Sequence, residues 1–427
     1  MLVLVSDIHL TDFGGRTAGR GQRLVKRLSD LAMQNERDEL DPFEIAFLGD
    51  IFDLLHSQEW LTRDLRPWET PDAAHQEIVR DIYNGIKENN APFFDGLRDL
   101  KSNYSKTEIH YIVGNHDRVL NTPMGERIRS QVFDDMRIGR TSETFQDTLL
   151  FPRYGTIARH GHEWDPRNVY ALGRAAIGDF IVIDVLEQFP RLIAEQLDWS
   201  IDSPELTDFR ELAYVLPQDL RYIMAWISDG ISKLEADEPR IHAVAENALL
   251  TIIDCTRAFM GQNVRLFLLP QYAEWMIYLI NTRLLKNKAQ TLLDVVRRIR
   301  FGLGGDPFRY RDFLAAQLNF ASFFLDQLNV LVSGHTHEGI IETKRGNRLQ
   351  KFINTGAWNW VHKFRPNARL PGGAWSWVHK LRANGHVSRE DLFEHYEYAA
   401  IGIISSQRER DVLPLEHCKL EENKVLL

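Results

Sequence analysis

The sequence predicts an α/β fold, because short apolar runs typical of buried strands alternate with segments of helical pattern. Residues 2–5 are apolar throughout, and residues 44–48, 107–113 and 330–333 are rich in apolar side chains. Residues 20–35 carry leucines at helical spacing between the first two runs. A polar cluster directly follows each of the four runs, so these clusters are expected at the carboxyl ends of strands, where α/β folds place their sites.

Five short motifs supply the candidate ligands: Asp7-Ile8-His9, Gly49-Asp50-Ile51-Phe52-Asp53, Gly114-Asn115-His116-Asp117, His160-Gly161-His162 and Gly334-His335-Thr336-His337. Carboxylate oxygen combined with imidazole nitrogen suits Mn, Fe, Zn and similar divalent ions. Seven candidate ligands exceed the four of a tetrahedral structural zinc site. The set fits two metals that share a bridging carboxylate, the arrangement that clamps both oxygens of an in-line phosphoryl displacement.

The segment from residue 166 to 329 has a different character, because it contains several helical apolar stripes and no ligand cluster. The stripes are Leu220, Ile223, Ile227, Ile231 and Leu234; Ile241, Val244, Ala248, Ile252, Cys255 and Phe259; and one from Phe313 to Leu328. We therefore predict a first part of the core over 1–165, a helical insertion over 166–329, and a second part of the core with a C-terminal tail over 330–427. Residues 339–354 predict a hairpin.

Composition places the chain among ordinary globular proteins. It has 427 residues, 44% of them hydrophobic and 26% charged, and a net charge of −9 that disfavours nucleic acid as a general partner. Two cysteines without a metal or disulfide pattern indicate a reducing compartment. No signal-peptide pattern is present, and no apolar run reaches the ~18 residues of a membrane span. We expect a cytoplasmic protein without a transmembrane segment.

The order of the five motifs resembles that of the calcineurin-like metallophosphoesterase superfamily, whose pattern is D-x-H, G-D-x-x-D, G-N-H-D/E, a single His, and G-H-x-H. The resemblance covers about residues 1–165 and 330–380. It implies a layered αββα β-sandwich core, here with a large inserted helical domain. It also implies a cofactor of two divalent ions (Mn, Fe or Zn, with Mn favoured).

The resemblance further implies how the ligands divide. One metal would be held by Asp7, His9, Asp50 and His337, and the other by Asp50, Asn115, His160 and His335, with Asp50 bridging. His116 would assist departure of the leaving group, paired with Asp117. Asp53 is expected to support the ligands without binding metal.

Three further residues are candidates for substrate binding. Arg16 and Arg20 follow the first motif closely, and guanidinium groups suit a phosphate. His162 follows the ligand His160. Each has a plain alternative, a solvated loop for the arginines and a packed side chain for the histidine. Trp358 and Trp360 are expected to pack against the sheet rather than to stack a base.

The predicted function is hydrolysis of a phosphodiester or pyrophosphate by a hydroxide held between two metals. The alternatives are a phosphomonoesterase or nuclease on the same site, or a binding or scaffold protein that uses the helical insertion. The partner is a phosphate-ester substrate that the sequence does not identify. We expect the insertion to cover the site and select the substrate, and it also offers a surface for homo-oligomers.

Overall fold

The described strands form two mixed sheets, and the described part of the chain also contains α-helices. The structure is a computed structural model that describes residues 1–13, 19–40, 42–139, 143–165, 168, 175–216, 220–262, 328–337, 339–345, 349–364, 393–404 and 418–426. These residues fall into two compact units. The first draws on Met1–Asp179, Tyr310–Trp360 and Glu397–Val425, and the second on Phe180–Arg309 and Val361–Tyr396.

The strands are β1 (Leu2–Val5), β2 (Phe43–Leu48), β3 (Thr107–Ile112), β4 (Leu149–Phe151), β5 (Thr156–Ala158), β6 (Val215–Leu216), β7 (Val330–Ser333), β8 (Gly339–Arg345), β9 (Leu349–Thr355), β10 (Trp358–Phe364), β11 (Phe393–Ile404) and β12 (Cys418–Leu426). The helices are α1 (Arg20–Arg37), α2 (Glu59–Thr62), α3 (Ala73–Asn89), α4 (Ala91–Asn103), α5 (Glu126–Asp135), α6 (Ile177–Phe180), α7 (Gln188–Leu197), α8 (Thr207–Arg210), α9 (Leu220–Leu234) and α10 (Ile241–Gln262).

Both sheets of the first unit have a parallel centre. The first sheet is seven-stranded and includes the order β3-β2-β1-β11, with β1, β2 and β3 parallel, β11 antiparallel to β1, and β12 also paired with β11. The second runs β4-β5-β7-β9-β8, with β5, β7 and β9 parallel and the two outer strands antiparallel. The carboxyl ends of β1, β2 and β3 therefore meet at one edge of the first sheet. The carboxyl ends of β5 and β7 meet at one edge of the second.

One hydrophobic core takes side chains from both sheets. It consists of Leu2, Leu4, Ala46, Leu48, Ile112, Leu149, Phe151, Tyr154, Ala158, Val330, Val332, Ile353 and Ile404, all of them buried. Alternate residues of β1 and β2 point into this core, as the two-residue period of a strand requires. Burial of each large aliphatic side chain contributes about 1.5–3 kcal/mol to folding.

The strands expected over 2–5, 44–48, 107–113 and 330–333 are confirmed, and so are the helix near 20–35 and the hairpin of β8 and β9. In the second unit α9 and α10 confirm two of the predicted apolar stripes, and Ile227, Ile231, Ala248 and Ile252 are buried there. The third stripe lies outside the described residues except for Leu328. The boundaries 166–329 stay a prediction, because most residues beside them are also outside the described ranges.

The sequence pattern predicted no element for the C-terminal part that forms β11 and β12. β11 pairs with β1 from Leu2↔Ile404 to Leu4↔Gly402, so a late segment lies next to the first strand of the chain. None of the described helices is both long enough and apolar enough to cross a membrane.

Candidate metal centre

The five predicted motifs lie together in the first unit, each directly after a strand. The loop after β1 joins the loop after β2 through hydrogen bonds from the Ile8 and His9 amides to the Asp50 carbonyl (2.9 and 3.0 Å). The loop after β5 joins the loop after β7, because the Gly334 amide donates to the His160 carbonyl (2.9 Å). The His335 amide donates to Asp7 Oδ2 (2.9 Å), which connects the two pairs of loops.

Left-handed backbone is concentrated at the candidate ligands. Among the described residues nine non-glycine residues have positive φ, and five of them are predicted ligands: Asp7 (53°), His9 (52°), Asp50 (53°), His335 (72°) and His337 (59°). This conformation is uncommon for residues with a Cβ and is found preferentially at functional sites. The surrounding hydrogen bonds therefore hold the ligand backbones in place against a local preference.

The first cluster consists of Asp7, His9 and His337. His337 Nε2 lies 3.2 Å from His9 Nε2 and 3.3 Å from Asp7 Oδ1. Two ligands that hold one ion at about 2.1 Å are separated by roughly 3.0–3.4 Å in octahedral or tetrahedral geometry. The two separations that involve His337 match the edges of such a coordination shell, whereas His9 Nε2 and Asp7 Oδ1 are farther apart, at 4.0 Å.

The second cluster consists of Asp50, His160 and His335, with Asn115 beside it. His160 Nε2 is 3.2 Å from both Asp50 Oδ2 and Asn115 Oδ1. The Asn115 side chain is buried and offers a neutral carbonyl oxygen. The cluster thus combines one carboxylate, two imidazoles and one amide, a donor set suited to a divalent transition ion.

Asp50 has one oxygen held by the protein and one facing both clusters. Its Oδ1 accepts a hydrogen bond from the His116 amide (2.8 Å). Its Oδ2 lies 3.2 Å from His160 Nε2 and 4.0 Å from His9 Nε2. Asp50 Oδ2 is therefore the atom that stands between the two groups of ligands.

Two observations indicate that these groups of side chains suit metal ions. Asp7 Oδ1 and Asp50 Oδ2 are buried and accept no well-aligned hydrogen bond, and their nearest polar neighbours are the imidazole nitrogens of His337 (3.3 Å) and His160 (3.2 Å). His160 Nδ1 lies 2.7 Å from the Leu48 carbonyl, which only accepts, so Nδ1 carries a proton and Nε2 faces the cluster. In the same way His9 Nδ1 lies 3.0 Å from Asp53 Oδ2 and leaves Nε2 for the first cluster. The clusters can hold a metal ion.

The charges at the site are strongly coupled. Burial would raise the pKa of Asp50, but the neighbouring His160 and His116 lower it well below its usual range. Burial would lower the pKa of His160, but Asp50 outweighs it and raises the pKa to about 10. His160 is therefore protonated at neutral pH in the metal-free protein and must release a proton to bind an ion.

His116 is paired with Asp53, and the predicted pairing with Asp117 is wrong. His116 Nδ1 lies 2.7 Å from Asp53 Oδ1, whereas the Asp117 carboxylate accepts from the amides of Ile51 (3.0 Å) and Gly114 (2.5 Å) and from the Tyr111 hydroxyl. Asp117 thus turns away from the imidazole beside it in sequence and braces the backbone of two ligand loops. Burial, reinforced by the negative charge of Asp50, raises the pKa of Asp117 to about 6.

Asp53 contacts two site histidines at once. Its Oδ2 lies 3.0 Å from His9 Nδ1, and its Oδ1 is the partner of His116. Burial would lower the pKa of His116, but Asp53 and then Asp50 outweigh it and raise the pKa to about 9. Asp53 therefore orients one ligand of the first cluster and keeps the His116 ring charged, as a supporting residue would.

The three residues predicted to bind substrate differ in position and exposure. Arg16 lies outside the described residues. Arg20 is only 1% exposed, and its Nη1 donates to the Ile8 carbonyl (3.3 Å), a contact that supports the first ligand loop. The side chain of His162 is 22% exposed, and its ring centroid lies 5.3 Å from that of His160. A role for these three residues in substrate binding stays a prediction.

The site opens towards solvent beside three histidines. The side chains of His116, His337 and His162 are 17%, 18% and 22% exposed, whereas those of Asp7 and Asp50 are buried. Solvent therefore reaches the candidate metal centre beside these rings. Trp358 is 8% exposed, and its Nε1 donates to the Arg20 carbonyl (3.2 Å), so it packs as expected. The Trp360 side chain is outside the described part.

The contact between Asp165 and His335 was not predicted from the sequence. Its Oδ2 lies 3.1 Å from His335 Nε2, and the Asp165 side chain is buried while that of His335 is 9% exposed. Asp165 follows His160 by five residues, but a carboxylate at that spacing has no distinctive signal in a single sequence.

Gly334 leaves no room for a side chain at the site. A Cβ there would collide with Ser6 Oγ and Asp7 Oδ2. Ser6 Oγ is itself hydrogen-bonded to Asp7 Oδ2 and lies 2.7 Å from Thr355 Oγ1, so the neighbours have little freedom to move. We expect Gly334→Ala to displace Asp7, lower metal occupancy and reduce stability by about 1–3 kcal/mol, the usual cost of overpacking.

Metal content and denaturant unfolding of Gly334→Ala, measured against the parent protein, check this expectation. The matched control is Gly139→Ala, where a Cβ would meet no atom within 4 Å. Normal metal occupancy in Gly334→Ala would show that the Asp7 loop relaxes without losing its ligand position.

Comparison with known proteins adds no assignment. No protein-family model and no curated protein matches the chain.

Proposed function

We propose that this protein is a dinuclear metal-dependent phosphoesterase that hydrolyses a phosphodiester or pyrophosphate bond. The observation that carries the proposal is the position of Asp50 Oδ2, which is buried and lies between two groups of candidate ligands, with imidazole nitrogens of His160 and His9 as its neighbours. A carboxylate is the side chain best able to serve two cations about 3.5–4 Å apart. The two mixed sheets with a shared core support an αββα sandwich of the metallophosphoesterase type, with a helical insertion.

In this proposal Asp7, His9, Asp50 and His337 hold one ion, and Asp50, Asn115, His160 and His335 hold the other. When bound, two such ions activate water for attack and neutralise charge on the phosphate oxygens. Mn, Fe and Zn all suit the donor set, and Mn is the ion that we favour.

His116 is the proposed acid for the leaving group. Its ring is among the more exposed at the site, and the Asp53 carboxylate 2.7 Å from Nδ1 keeps it protonated. With Nδ1 directed at Asp53, Nε2 is the nitrogen that would face the substrate and donate a proton to the departing oxygen. Asp117 contributes by bracing the backbone around Gly114 and Ile51.

The direct test combines metal analysis with turnover of bis-p-nitrophenyl phosphate. Protein purified without a chelator should carry about two transition ions per chain and hydrolyse this diester when Mn²⁺ is added. A chelator should abolish the activity and Mn²⁺ should restore it. p-Nitrophenyl phosphate, assayed in parallel, separates diesterase from monoesterase activity.

Asp7→Asn protein, purified in the same way, controls for a contaminating phosphatase, because Asp7 Oδ1 belongs to the first cluster. Bound metal without turnover of either substrate would contradict an enzymatic role and favour a binding or scaffold protein.

A further inference from the structure

A buried carboxylate faces the His335 imidazole from outside the predicted ligand set. Asp165 Oδ2 lies 3.1 Å from His335 Nε2, and the two side chains are 6% and 9% exposed. Asn168 lies at the same contact, with its Nδ2 3.2 Å from Asp165 Oδ2 and 3.4 Å from His335 Nε2. A carboxylate, an amide and an imidazole therefore meet at one point behind the second cluster.

The backbone that carries Asp165 is fixed by its own contacts. The Asp165 amide donates to the His162 carbonyl (3.0 Å), and the Asn168 amide donates to the Asp165 carbonyl (2.9 Å). Arg118 Nη1 donates to the Asn168 carbonyl (2.6 Å), and Arg118 Nη2 donates to the buried Asp179. The Asp165 carboxylate is thus held in place by a chain of buried polar groups.

We propose that Asp165 is a positioning residue for His335 and sets the affinity of the second metal site. The inference rests on the proposed two-metal function. A metal-bound histidine usually donates its other ring N–H to a carboxylate, which fixes the ring orientation and raises the basicity of the ligand nitrogen. Asp165 contacts Nε2 of His335, whereas Asp53 and the Leu48 carbonyl contact Nδ1 of His9 and His160, so His335 would offer Nδ1 to the ion where the other two offer Nε2.

This arrangement gives His335 its orientation from outside its own loop. His335 has a left-handed backbone (φ 72°), and its amide is committed to Asp7 Oδ2. The contact with Asp7 therefore fixes the backbone of His335, and the contact with Asp165 fixes the orientation of its imidazole ring. Loss of such an outer partner typically lowers metal affinity about 10–100-fold.

The test is a titration of metal-free protein with Mn²⁺ against a chromophoric chelator. It compares the parent protein with Asp165→Ala, Asp165→Asn and the control Asp147→Asn, an exposed carboxylate of the same unit. His335→Asn shows which of the two binding steps belongs to the second cluster. Thermal unfolding of each metal-free variant reports separately on the fold.

We expect Asp165→Ala to weaken the second step about 10–100-fold and to leave the first step unchanged. Asp165→Asn keeps an oxygen that accepts from the imidazole, so it should recover part of the affinity, and it replaces Asp165→Ala as the test if that variant does not fold. Parent-like titration of both Asp165 variants, or equal weakening of both steps, would overturn the positioning role. A parent protein that binds fewer than two ions would overturn the two-metal proposal and this inference with it.

Discussion

Asp50→Asn is expected to empty both metal positions and abolish turnover. Asp50 Oδ2 is a buried oxygen close to imidazoles of both clusters, 3.2 Å from His160 Nε2 and 4.0 Å from His9 Nε2. An amide carries no charge and one acceptor oxygen, and the existing bond from the His116 amide claims that oxygen. The metal content should therefore fall from about two ions per chain to well below one.

The change also removes the negative charge that raises the pKa of His160. Metal-free Asp50→Asn should consequently bind fewer protons at neutral pH than the parent, while keeping its fold. Asp147→Asn is the matched control, since this carboxylate is exposed in the same unit. Full retention of one ion with loss of the other would show that Asp50 serves one site and does not bridge.

The carboxyl-end position of the ligands is the part of the site that the sequence predicted well. Apolar runs of four to six residues that end in Gly-Asp, Gly-Asn or Gly-His have few alternatives to strand followed by tight loop. The structure places Asp50, Asn115 and His335 in such loops. The prediction that the five loops meet at one place came from the order of the motifs. Hydrophobic periodicity within each segment could not have predicted it.

Side-chain pairing within the site was beyond the sequence. Asp117 is adjacent to His116, yet its carboxylate turns towards the Gly114 and Ile51 amides, while Asp53 reaches His116 from another strand. Adjacent residues in a turn point in different directions, so proximity along the chain is a poor guide to contact. β11 was missed for a related reason, because its pairing with β1 joins residues about four hundred positions apart.

His116→Ala is expected to keep both metals and to slow turnover by about 10²–10⁴-fold for diesters with a basic alkoxide leaving group. The loss should be much smaller for bis-p-nitrophenyl phosphate, because nitrophenolate leaves without a proton. The His116 ring makes its closest polar contact with Asp53 and is not in either predicted ligand set, so metal content should not change. Equal losses on both substrates would remove the leaving-group role, and loss of metal would make His116 structural.

The pH profile of Asp53→Asn tests the pairing that the structure shows. Asp53 and Asp50 raise the pKa of His116 to about 9 in the metal-free protein, so the ring keeps its proton below that pH and loses it as the pH rises through that value. Bound cations repel the imidazolium charge and lower the pKa. Activity that needs the charged ring should therefore fall on the alkaline side, and removal of the Asp53 charge should move this fall to lower pH.

Asp117→Asn is the informative control, because its carboxylate contacts backbone amides and Tyr111 and does not contact the His116 ring. Asp117→Asn should lower the stability of the fold and leave the pH of the alkaline fall in activity unchanged. Asp53 also contacts His9 Nδ1, so metal content must be measured for Asp53→Asn before its pH profile is compared. If the alkaline fall in activity shifts in Asp117→Asn but not in metal-loaded Asp53→Asn, then His116 is paired with Asp117, as the sequence predicted. The opposite result would establish Asp53 as the residue that keeps the acid protonated.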